Sequence, residues 1–88
     1  MKLKEGVFLH QVGSEYMGVT LGKASESFRG LIRNNKTAND IFALLQNETS
    51  EEDVVTSMVK KYDAPKEVIA KDVHSIVEKI REAGLLEE

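Results

Sequence analysis

The sequence predicts an α+β domain in which a three-stranded antiparallel sheet is followed by three helices, in the order βββααα. Three observations point there: alternating apolar runs in the first third, turn signals between them, and capped amphipathic helical periods thereafter. The first strand is read as Val7 to Val12. Gly13-Ser14 turns the chain into a second, Tyr16 to Leu21, and Gly22-Lys23-Ala24 leads to a third, about Ser27 to Arg33. In that third strand, side-chain alternation sends Phe28, Gly30 and Ile32 to one face and Arg29, Leu31 and Arg33 to the other. A glycine inside a strand weakens it and marks a bulge or a close backbone approach, so Gly30 is read as a place where another chain comes near.

Each helix carries its own start or stop signal. The first follows Asn35 or Thr37 as cap and repeats Ala38, Ile41, Phe42 and Leu45 on one face. The second opens with Thr49 and Glu52 spaced as a capping box, with Val55, Met58, Val59 and Tyr62 as its stripe. The third has Pro65 near its first turn and Ile69, Val73, Ile76, Val77 and Ile80 as its buried face. Gly84 fits a left-handed stop, with Leu85 placed to fold back on Ile80.

Eighty-eight residues are read as one domain, residues 1 to 88, large enough for a single modest core but not for a deep cofactor cleft as well. No cofactor is expected. With no Cys there is no disulfide, thiolate zinc site or cysteine-held cluster, which fits the cytoplasm, and no apolar run has the length of a signal peptide or membrane span. The net charge of -3 is unevenly spread. Up to residue 36, Lys2, Lys4, Lys23, Arg29, Arg33 and Lys36 outnumber Glu5, Glu15 and Glu26, so a basic strand region sits on an otherwise acidic chain. That distribution suits a partner with negative groups.

Residues that resemble catalytic groups have simpler readings. His10 and His74 lack a second imidazole at helical spacing, so no metal site is read from them. Glu51, Glu52 and Asp53 lie in the first turn of a helix, where carboxylates offset the helix dipole. No serine stands in a G-x-S-x-G elbow, and no glycine-rich phosphate loop occurs. The sequence is therefore read as that of a binding protein, not an enzyme. Nucleic acid is a poor fit, because Lys66, Lys71, Lys79 and Arg81 on the third helix are cancelled by Glu67, Asp72, Glu78 and Glu82.

The passage from Ser27 to Leu45 reads F-x-G-L-I-x-x-N-x-T-A-x-x-I-F-x-L-L, carried by Phe28, Gly30, Leu31, Ile32, Asn35, Thr37, Ala38, Ile41, Phe42, Leu44 and Leu45. With Thr49-Ser50-Glu51-Glu52, Tyr62-Asp63, Asp72-Val73 and Gly84-Leu85-Leu86 in the same order, nearly the whole chain resembles the PqqD family, also called RiPP recognition elements. Two positions depart from the family pattern. Asn34 stands where an apolar residue is usual, which leaves the junction of third strand and first helix open, and Ala64 stands where an Asp cap is usual.

The resemblance implies a winged-helix-like arrangement and a protein that binds the leader segment of a ribosomally made precursor peptide and presents it to a modifying enzyme. It implies a radical S-adenosylmethionine enzyme as the commonest partner and, in the named case, the quinone cofactor PQQ as product. A physical rationale accompanies it. A strand at the edge of a small meander exposes N–H and C=O groups that an extended peptide satisfies by adding a strand. The expected peptide site is thus Phe28, Arg29, Gly30, Leu31, Ile32 and Arg33 on the strand, facing Val68, Asp72, Ser75 and Lys79 on the third helix. An acidic leader would meet Arg29, Arg33 and Lys36 as a positive rim. Which flank of the helix meets the strand stays open, and the rival reading is a winged-helix-like regulatory module that binds nucleic acid or a protein surface.

Overall fold

A computed structural model of the chain describes residues 1–27 and 31–88, the side chains of Ser27 and Leu31 excepted. Phe28, Arg29 and Gly30, expected in the third strand, lie outside the described residues. β1 (Lys2–Leu3) leads through Gly6 into β2 (Val7–Val12), and the two-residue loop Gly13-Ser14 returns the chain as β3 (Glu15–Thr20). Gly6 holds φ at +99°, and its carbonyl accepts the Leu21 N–H at 2.7 Å. A Cβ here would lie 1.9 Å from the Leu21 carbonyl oxygen, so only glycine lets the two chain segments meet this closely.

The next segment corrects the expected course. The sequence pattern puts Ser27 in the third strand, but it ends a five-residue helix, α1 (Lys23–Ser27). The Ser25 N–H and hydroxyl both donate to the Gly22 carbonyl, at 3.1 and 2.7 Å, and close its first turn, while Ala24 is fully buried. One turn is too short to show a helical period. The third strand of the meander, β4 (Leu31–Asn34), then pairs antiparallel with β3, giving the sheet order β2-β3-β4.

The three long helices are α2 (Lys36–Leu44), α3 (Glu51–Lys61) and α4 (Lys66–Glu82). Asn35 is the cap of α2, its side-chain oxygen accepting the Ala38 N–H at 2.8 Å. The cap of α3 is Ser50 and not Thr49: Ser50 Oγ accepts the Asp53 N–H at 3.1 Å. Thr49 instead donates its N–H to the Met1 carbonyl. Both residues can cap a helix, and the start of α3 at Glu51 puts Ser50 in the cap position. At the end of α4 the Schellman arrangement forms as expected. Gly84, at φ +74°, donates to the Arg81 carbonyl, and Leu85 N–H reaches Ile80.

Leu85 leads into β5 (Leu86–Glu87), which pairs antiparallel with β1 in a separate two-stranded ladder. The helices cover one face of the meander. Val7 and Thr20 are buried on that face, whereas Phe8 and Val12 on the opposite face are exposed. Among the described residues, Ile41, Leu45, Val54, Met58, Val73, Val77 and Leu85 are the largest fully buried side chains, each contributing about 1.5–3 kcal/mol through removal from water. Val54, absent from the predicted stripe of α3, is 1% exposed, while Ile76, predicted to be buried on α4, is only half-buried.

Candidate functional site

β4 is the last strand of its sheet and, among the described residues, has no partner along its second edge. The residues that face this edge follow from the ladder. Gly6 and Leu21 are hydrogen-bonded partners, so by the alternation of an antiparallel pair Glu15, Met17 and Val19 direct their backbone groups to β2. Tyr16 and Gly18 then direct theirs to β4, where they oppose Asn34 and Ile32. It follows that Ile32 and Asn34 are bonded to β3, whereas the N–H and C=O groups of Leu31 and Arg33 point to the open edge. An unpaired row of this kind templates an incoming strand.

Beside this edge lies a groove of about 360 Å³ between β4 and α4. Ile32, Arg33 and Asn34 form one wall, Ile76, Lys79, Ile80 and Ala83 the other, with Ala38 and Phe42 of α2 between them. The flank of α4 that the sequence leaves open is therefore the one carrying Ile76 and Lys79. Ile76 is half-buried because it lines this groove and is not sealed in the core. A second depression of about 300 Å³ shares Asn35, Ile76 and Lys79 with the first and adds Asp72 and Ser75. A third, of about 170 Å³, shares Thr37 and Asp72 with the second and ends at Val68, which is 51% exposed. The three form a continuous track along α4.

The predicted helix residues thus all lie on the track, but not all opposite the strand. Ile32, Arg33 and Lys79 meet in the same groove, Asp72 and Ser75 lie farther along, and Val68 sits at the far end against α2 and α3. Leu31 contributes its backbone to the edge, while Phe28, Arg29 and Gly30 are outside the described residues. Sequence reasoning misses Asn34, Asn35, Ala38, Phe42, Ile76, Ile80, Ala83 and Leu85 as lining residues. Only Asn34 carries a signal, as a polar residue at a position usually apolar.

The positive rim differs from expectation at Lys36. Its ammonium donates to the Tyr62 hydroxyl at 3.2 Å, lies 5.2 Å from the centre of the Tyr62 ring and is 3.6 Å from Asp40. Tyr62 in turn donates to Asp40, which also pairs with Lys61 at 3.1 Å. The Tyr62 hydroxyl and the Asp40 charge raise the Lys36 pKa. For Asp40, desolvation favours the neutral acid, but the bonds from Tyr62 and Lys61 and the two ammonium charges outweigh it and hold the carboxyl below its ordinary range. Lys36 is therefore part of a cluster that ties α2 to the end of α3. Arg33 and Lys79 form no ion pair among the described residues; Lys79 borders the groove from α4, and alternation along β4 directs the Arg33 side chain to the face opposite Ile32 and Asn34.

Among the described residues no group of three or more His, Asp or Glu could hold a metal ion, and no helix is long and apolar enough to cross a membrane. Two solved structures share this fold at low identity. TbiB1, in complex with the TbiA(beta) leader peptide, superposes with a TM-score of 0.76 at 17% identity, over 99% of this chain and 95% of that one. Lasso peptide synthetase B1, complexed with the leader peptide, does so with a TM-score of 0.72 at 18% identity, over 99% and 96%. Both share the fold of a small α+β domain, a three-stranded antiparallel sheet followed by helices. The model of the family described as coenzyme PQQ synthesis protein D (PqqD) matches residues 5–86, and the chain belongs to that family. No curated protein sequence matches it.

Proposed function

We propose that this protein binds the leader segment of a ribosomally synthesised precursor peptide as an added strand on β4, in the groove against α4, and presents it to a modifying enzyme. The open edge of β4 carries this reading: Leu31 and Arg33 direct backbone groups to an edge that has no partner among the described residues and that borders a groove of about 360 Å³. Membership of the PqqD family supports it, as does a fold shared with two proteins solved with leader peptides. The protein supplies binding and positioning, and the partner supplies the chemistry. By family, that partner is a radical S-adenosylmethionine enzyme working in the cytoplasm.

Backbone pairing along β4 gives affinity without sequence preference, and the groove residues Ile32, Arg33, Asp72, Ser75 and Lys79 select side chains. Val68 offers an apolar contact where the track ends. Titration with the leader peptide encoded beside this gene, against random duplex DNA as competitor, tests the reading. Saturable leader binding that DNA does not displace is the expected result. Preferential binding of DNA would overturn it.

A further inference from the structure

Asn34 is costly to the fold as it stands. Its side-chain nitrogen is buried and has no hydrogen-bond partner among the described residues, although the groove wall around it includes Ile32, Phe42, Ile76 and Ile80. A buried donor left unpaired is destabilising, and leucine would fill the same space without that defect. The fold does not use this carboxamide, and what enters the groove can. Lys79, on the opposite wall of the same groove, has no ion pair among the described residues, so the acceptor that best suits the carboxamide and the ammonium together is an anion.

We propose that Asn34, with Lys79 on the facing wall, selects a carboxylate-bearing side chain of the bound peptide. The peptide's Asp or Glu accepts a hydrogen bond from Asn34 Nδ2 and neutralises Lys79. Engaging Nδ2 requires the carboxamide to turn from its covered position toward the groove, and the bond gained offsets that movement. The selected position is a single one. Asp72 lies along α4 from Lys79 at a separation of roughly 10 Å, about three residues of an extended peptide, and there it repels a second carboxylate.

This assignment rests on the peptide-binding reading, and its test separates the two. The leader peptide and variants with each Asp or Glu changed singly to Asn or Gln are titrated against the unaltered protein, Asn34→Leu and Lys79→Gln. One amide substitution should weaken binding to the unaltered protein by about tenfold or more. Asn34→Leu should raise the Tm by about 4–8 °C yet reduce the preference for acid over amide. Lys79→Gln, on an exposed position, should reduce the same preference and carries the test if Asn34→Leu does not fold. Binding that is equal for every amide variant, or an acid preference untouched by both protein variants, overturns this assignment alone. A protein that binds no leader overturns the peptide-binding reading as well.

Discussion

Replacing Arg33 by proline removes one backbone N–H from the open edge of β4 while leaving the bonds to β3 intact, because those are made by Ile32 and Asn34. Proline is tolerated on an edge strand when the missing donor faces outward, so the variant should fold, with a Tm within a few degrees of the parent. Peptide binding should suffer much more. The added strand loses a hydrogen bond with a net contribution of about 0.5–1.5 kcal/mol and is left with a carbonyl whose desolvation costs about 1–3 kcal/mol. Together these correspond to roughly a tenfold to thousandfold rise in Kd. Arg33→Ala keeps the N–H and removes the charge, so the difference between the two variants isolates the backbone. Ile32→Pro should behave differently, since it breaks the ladder to Gly18 and disturbs a half-buried side chain, with a stability loss of about 3 kcal/mol or more. Fluorescence anisotropy with a labelled leader peptide reads the affinities, and thermal unfolding confirms the folds. A folded Arg33→Pro variant that binds as tightly as Arg33→Ala would refute strand addition at this edge.

The cluster that ties α2 to α3 should respond to acid in a defined direction. Asp40 has a lowered pKa in the folded state, so its stabilisation is complete above the ordinary carboxylate pKa and disappears as pH falls through the lowered value. Asp40→Asn should accordingly reduce stability near neutral pH by roughly 0.5–1 kcal/mol and match the parent in strong acid, as denaturant melts at several pH values would show. Ser50→Ala should lower stability by about 0.5–2 kcal/mol through loss of the α3 cap, whereas Thr49→Ala should leave that cap intact; an equal loss in both would place the cap wrongly. Raising salt should weaken leader binding only modestly, and Arg33→Gln with Lys79→Gln should flatten the response. A steep linear fall of log affinity with log salt would instead indicate neutralisation of many phosphates.

Elements with strong local chemistry are legible in the amino-acid sequence. Val7 to Val12 is a strand-forming run that ends at a two-residue turn, Asn35 is one of the two caps expected for its helix, and Gly84 and Leu85 end theirs in the predicted way. Elements that depend on distant contacts are not legible. Lys2–Leu3 and Leu86–Glu87 are too short to show a period and form only because each supplies the other's edge. α1 depends on a single turn closed at Gly22 and on the burial of Ala24. In the site, the strand edge is readable from strand order alone, but the flank of α4 facing it is not. Ile76 and Ile80 both fit an apolar stripe, and only packing shows that Ile80 is buried while Ile76 also borders the groove. Lys36 reads as a free cation in the sequence because Tyr62 and Asp40 meet it through tertiary structure.

Backbone amide hydrogen exchange, resolved by residue in the free and peptide-saturated protein, tests strand addition most directly. In the free protein the Ile32 amide, bonded to β3, should exchange slowly, and the Leu31 and Arg33 amides, directed at the open edge, should exchange quickly. Addition of the leader peptide should slow Leu31 and Arg33 sharply while changing Ile32 little. Saturating peptide that leaves Arg33 exchanging as quickly as in the free protein would contradict the account.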